Sequence, residues 1–174
     1  MRIVAIIVLG LLTAACGFQL RGEAKLPFRT LYVDMSPNST LGIALKRNII
    51  ASTNTRLVNT AAEAQAIFSV ISEERSKVIL SFDASGQVAE LQLRYRLKFR
   101  VHDAKGRDYL PQSEIRLSRD ISYSSTQVLA KESEEALQYR DMESEMVQQI
   151  LRRLARAPAK PIVFEPAKEN ATAR

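Results

Sequence analysis

The sequence predicts an α+β fold: a two-layer sandwich in which two helices pack on one face of a four-stranded sheet, mixed and mainly antiparallel. Three observations carry that expectation. Residues 91–101 alternate apolar and polar without a break, as a long strand with one buried face must. Leu137, Met142, Met146, Val147, Ile150, Leu151 and Leu154 recur at helical spacing towards the C-terminal end. The order along the chain is strand, helix, several strands, helix, and placing both helices on one sheet face is the economical way to bury their apolar stripes.

Taken in order, Lys25-Leu26-Pro27-Phe28-Arg29 reads as a short extended linker, because proline disfavours helix in the residue before it. Leu31-Tyr32-Val33 is a first strand, and Ser36-Pro37-Asn38-Ser39 is a turn that starts a helix. Leu41, Ala44, Leu45, Asn48 and Ile49 then share one helical face over about three turns. Residues 66–71 and 77–82 read as two compact strands, the second running into the turn Asp83-Ala84-Ser85-Gly86. The alternating strand 88–102 ends at Asp103-Ala104-Lys105-Gly106, a hairpin turn closed by glycine. The returning strand sets Ile115, Leu117, Ile121 and Tyr123 at one parity, interrupted by Arg119. The second helix starts between Gln127 and Glu132 and runs to about Ala157. Glu132, Glu134 and Glu135 crowd its start and Arg152, Arg153 and Arg156 its end, in the sense that suits the helix dipole. Pro158 and Pro161 stop it, and residues 158–174 are expected to be a disordered tail.

The N-terminal end has a different character. Met1-Arg2, an apolar run from Ile3 to Leu12, and Thr13-Ala14-Ala15 before Cys16 form a secretory signal peptide over residues 1–15. The run is about half the roughly 20 residues a membrane-spanning helix needs. Cleavage there leaves the only cysteine of the chain at the new terminus, the arrangement of a bacterial lipoprotein whose thiol carries lipid. Several acyl chains on Cys16 would make release negligible, since each buried methylene contributes about 0.8 kcal/mol. Gly17 and Phe18 follow the cysteine rather than an inner-membrane aspartate, so the expected location is the outer membrane, lipid-anchored on the periplasmic side. Residues 16–157 then form one domain.

Composition narrows the function classes. The net charge is +6, of which the signal holds only Arg2. Outside the cytoplasm such an excess suits phosphorylated lipid better than nucleic acid. Aromatic content is 6% with no tryptophan, which argues against base-stacking platforms. The sequence holds no Gly-x-Ser-x-Gly elbow, no His-Glu-x-x-His and no phosphate-cradling glycine loop. The lone histidine, His102, lacks the partners of a triad or metal site, so no enzyme, metal or cofactor beyond the lipid on Cys16 is expected. The best remaining feature is the stripe Arg94, Arg96, Lys98 and Arg100, four cations projecting from one strand face. It fits a phosphate-binding surface, a solvated face that prevents edge association, or stems packed beneath a helix. Arg119 shares the parity of apolar neighbours and so should be paired with an acid or placed at an interface.

Cys16-Gly17-Phe18-Gln19-Leu20-Arg21-Gly22 resembles the start of the LPS-assembly lipoprotein (LptE) family. The similarity continues at Gly86-Gln87-Val88-Ala89-Glu90, at Arg119, at Leu129-Ala130-Lys131 and at Ile150-Leu151-Arg152-Arg153-Leu154. The resemblance implies two helices against a four-stranded sheet, and a plug that sits inside the outer-membrane β-barrel LptD and assists its assembly. It further implies binding of lipopolysaccharide and help in delivering it to the outer leaflet. Carried over residue by residue, Cys16 is the lipidated residue, Lys131 is a candidate contact to lipid A phosphate, and Arg119, which has a matching arginine in the family, is a further lipopolysaccharide-binding candidate beside the Arg94–Arg100 stripe. Relatives often carry a basic residue in the turn after Phe82, where this chain has Asp83 and Ala84. Two other classes stay open: a lipid-anchored scaffold of another envelope machine without a lipid ligand, and a periplasmic enzyme on a lipid leash.

Overall fold

A computed structural model describes residues 25–124 and 126–162. The signal 1–15, Cys16 with the motif that follows it, and residues 163–174 of the tail lie outside the described residues.

The chain runs β1 (Thr30–Asp34), α1 (Thr40–Ser52), β2 (Arg56–Leu57), a 3₁₀ turn (Ala61–Glu63), β3 (Ala66–Phe82), β4 (Val88–His102), β5 (Asp108–Ser122) and α2 (Val128–Ala155). The sheet order is β2-β1-β3-β4-β5. β1 is parallel to β2 and β3, while β3–β4 and β4–β5 are antiparallel. The class is therefore the expected α+β one, with two helices and a mixed sheet.

The strand count is corrected from four to five. β2 is only two residues long and has no alternation to betray it. It forms because the chain leaving α1 runs along β1, where Arg56 N–H donates to Arg29 O (3.0 Å) and Val58 N–H to Leu31 O (3.1 Å). A second correction joins residues 66–71 and 77–82 into the single strand β3. The polar stretch between them looked like a break, but it pairs with β4 throughout and is polar because it is exposed.

Helix α1 starts where the turn cluster set it, with Ser39 Oγ accepting from Gly42 N–H at 3.0 Å. The stretch read as a linker is part of the core instead, since Leu26 and Phe28 are buried and the Phe28 ring meets Tyr109 edge-on at 4.9 Å. α2 begins at Val128, so its first turn carries Lys131 and no acid. The glutamates fall in the second turn, and the dipole match holds only at the C-terminal end, where Arg152 and Arg153 lie. Both hairpin turns use one design. Asp83 Oδ1 accepts from the Ser85 and Gln87 amides, Asp103 Oδ1 from those of Lys105 and Arg107, and Gly86 and Gly106 both take φ +79°.

The core gathers Leu31, Val33, Phe68, the odd-numbered residues 93–101, Leu41, Leu45 and Ile49 of α1, and Met142, Met146, Ile150 and Leu154 of α2. Leu137, expected in the α2 stripe, is instead 55% exposed. A β-bulge explains why. Val70 pairs with Phe99 and Ser72 with Lys98, which leaves Ile71 as the extra residue. The slip reverses the parity of β3, so that Glu73, Arg75 and Lys77 face the helix side opposite Leu97, Tyr95 and Leu93. The first half of α2 therefore meets charge where the second half meets apolar core.

Candidate functional site

The cation stripe lies on the sheet face opposite the helices, because Leu93, Tyr95, Leu97, Phe99 and Val101 take the helix side. Its stems are thus not packed beneath a helix. Its four members differ in their partners. Arg100 Nε stands 3.1 Å from Asp108 Oδ1, and Arg96 lies 3.3 Å from Glu114 and 3.7 Å from Glu74. Arg94 donates from Nε to Gln92 Oε1 at 2.8 Å, and Gln92 is held in turn by Asp120 at 2.9 Å. Arg94 and Lys98 pair with no carboxylate among the described residues.

Arg116, which sequence reasoning missed, joins this face from β5. It stands directly opposite Arg96 and shares Glu114 with it. Arg94, Arg96 and Arg116 rim a hollow of about 250 Å³ whose other lining includes Ser76, Ser118 and Glu74. The period-two pattern of β5 could have flagged Arg116, but Arg119 at the apolar parity drew the reading instead.

The other two predicted cations lie apart from the stripe. Arg119 faces the helix side, opposite Leu93, and its guanidinium is paired with Glu145 of α2 and donates to Ser118 O at 2.9 Å. The expected acid partner is there. Lys131 Nζ reaches Ser122 Oγ (2.9 Å) and Glu134 (2.8 Å), and only 15% of its side chain is exposed. The structure groups Arg94 with Arg96 and leaves Arg119 and Lys131 on separate attachments of α2.

Those attachments continue as a polar seam between α2 and β3. Lys77 pairs with Glu135 at 3.1 Å, and that hydrogen bond holds the lysine above its ordinary pKa. Arg75 donates to Glu143 (2.8 Å) and to the Tyr95 hydroxyl (3.3 Å), and lies 4.6 Å over the Tyr95 ring. Burial works against the Arg75 charge, but Tyr95 and Glu143 outweigh it and raise its pKa. Tyr95 donates to Glu73 at 2.7 Å; burial first, and then that carboxylate, push its phenol well above the usual value despite the opposing arginine. Glu143 also accepts from Thr40 Oγ1 at 2.7 Å, so one carboxylate ties α1, α2 and β3 together. A groove of about 600 Å³ lies along the seam.

His102 is pinned between Ser69 Oγ (Nε2, 3.0 Å) and the Asp103 carbonyl (Nδ1, 2.8 Å). The carbonyl can only accept, so Nδ1 donates to it. This arrangement joins β3 to β4 and presents no carboxylate to the ring. Among the described residues no group of three or more potential metal ligands comes together, and no helix is long and apolar enough to cross a membrane.

A family profile described as LptE, lipopolysaccharide assembly, matches residues 28–154, from the buried Phe28 to the buried Leu154 near the end of α2. The chain is 31% identical over 149 residues to the LPS-assembly lipoprotein LptE of Pectobacterium atrosepticum, covering 83% of this chain and 79% of that protein. The solution NMR structure of a lipoprotein B from Nitrosomonas europaea is similar at TM-score 0.69 and 39% identity, over 80% of this chain and 90% of that one. The crystal structure of the rare lipoprotein B from Shewanella oneidensis shares the fold at TM-score 0.64 and 23% identity, over 73% and 94%.

Proposed function

This chain belongs to the LptE lipopolysaccharide-assembly family, and from that premise we propose that it is a lipid-anchored outer-membrane protein that plugs and helps assemble the β-barrel LptD. In this reading it binds lipopolysaccharide on its way to the outer leaflet. The observation that carries the proposal is the family match across both helices and all five strands. Geometry supports it in two ways. A barrel lumen is polar and wet, so its plug needs a charged outer surface over a separate apolar core. The open sheet face, with its arginines and glutamates, is such a surface. Lipid A phosphates need cations, and Lys131 and the Arg94–Arg100 stripe supply them. Lipid on Cys16 would hold the domain at the membrane.

Lys131 already has a carboxylate and a hydroxyl, so a phosphate there replaces Glu134 rather than filling an empty place. The expected gain per contact is small, about 0.2–1 kcal/mol, and several contacts must act together. Pull-down of the full chain from detergent-solubilised outer membrane tests the barrel role: a large β-barrel partner should co-purify, and its absence overturns the plug. Lys131→Asp should weaken lipopolysaccharide binding, most at low salt, and leave the barrel complex intact. Identical binding curves for the two proteins across a salt series would remove Lys131 from the site.

A further inference from the structure

We infer that the hollow on the open sheet face is a phosphate subsite built by Arg94, Arg96 and Arg116 over the hydroxyls of Ser76 and Ser118. It deepens the lipopolysaccharide reading above and rests on it, and it sits away from Lys131.

Three features of the face point to an anion. Arg96 and Arg116 stand directly opposite each other on β4 and β5, a pairing that costs stability unless a negative charge lies between them. Glu114 is shared by both, so one carboxylate faces two guanidinium groups, with Glu74 the more distant second acid at 3.7 Å from Arg96. Next, Arg94 alone in the stripe has serines as cross-strand neighbours on both sides, Ser76 on β3 and Ser118 on β5. Neither hydroxyl bonds another described residue, so both are available to donate. Finally, the Nε of Arg94 is taken by Gln92, which leaves its two terminal nitrogens without a partner among the described residues, on a side chain that lines the hollow. Guanidinium forks match phosphate oxygens two at a time, and serine hydroxyls add short donors. The hollow, about 250 Å³, accommodates a phosphate group and the start of what it is attached to. Its ligand is a terminal phosphate group, either the headgroup phosphate of lipopolysaccharide or free phosphate.

The test uses the full chain in non-ionic detergent with three probes: lipopolysaccharide, the same material with its lipid A phosphates removed, and inorganic phosphate as competitor. The wild type should prefer the phosphorylated form, and Arg94→Gln with Arg116→Gln should reduce that preference by about tenfold, as the loss of two charge-assisted contacts predicts. Lys131→Gln should leave a measurable part of the preference in place. Competition by inorganic phosphate, lost in the double variant, would assign the site to the phosphate group alone; no competition, with a wild-type preference that the double variant loses, would assign it to the headgroup. A double variant that keeps the full preference overturns the subsite and leaves the lipopolysaccharide reading standing on Lys131. A wild type that binds neither form overturns both.

Discussion

The two halves of α2 lie on the same sheet face and are held there by different physics. From Met142 to Leu154 the helix buries Met142, Met146, Val147, Ile150, Leu151 and Leu154 against Leu93–Val101 and α1. From Val128 to Asp141 no residue is fully buried, and the contacts to the sheet are mainly polar: Lys77–Glu135, Lys131 to Ser122, and Tyr139, which donates to Ser76 O at 3.1 Å and sets its ring against the edge of the core. Glu143 and Glu145 close the junction by pairing with Arg75 and Arg119. A fully buried large apolar side chain contributes about 1.5–3 kcal/mol, whereas an exposed ion pair contributes about 0.2–1. The base formed by the C-terminal half should therefore carry stability. The arm formed by the N-terminal half should be marginal, salt-sensitive and free to adapt to a partner. The bulge at Ile71 makes the difference, because it turns three charged residues of β3 towards the helix.

The largest effect should come from breaking the base. Phe99 is fully buried and stacks on Phe68 at 4.9 Å, so Phe99→Ala should cost about 3–5 kcal/mol by urea unfolding. A cost near that of an arm substitution would erase the distinction. Next comes the junction, where Tyr95→Phe removes a hydroxyl that bonds both Glu73 and Arg75 and should cost about 1–3 kcal/mol.

The same phenol sharpens the comparison through pH. Its folded pKa lies above the ordinary value of 10.0, so its contribution is complete below pH 10 and is lost as pH rises beyond it. The wild type should lose stability above pH 10 more steeply than Tyr95→Phe, and parallel curves would deny the tyrosine that role. The smallest effect belongs to the arm: Lys77→Gln, at an exposed pair, should cost at most about 0.5 kcal/mol and nothing in high salt.

Sequence reasoning reached the parts of the fold governed by period. The 91–101 alternation, the Ser39 helix start and the two Asp-to-Gly turns all stand where the residues put them. What escaped it depends on pairing rather than period. A two-residue strand has no pattern, and a single bulged residue changes which face a whole segment presents without altering its composition. That is why the polar run 72–76 looked like a break and Leu137 looked like core. The candidate site was legible as a list of cations but not as a grouping. Only cross-strand register brings Arg116 to Arg94 and Arg96, and only the tertiary packing sets Glu145 against Arg119 and Ser122 against Lys131.

The division between base and arm is tested most directly by native-state hydrogen exchange along α2 in about 0.1 M and about 1 M salt, over which the screening length falls from about 10 Å to about 3 Å. Amides of residues 128–141 should open at lower free energy than those of 142–155, and salt should lower protection in the first group while leaving the second unchanged. A helix that exchanges as one unit, with the same protection at both salt concentrations, would contradict the account.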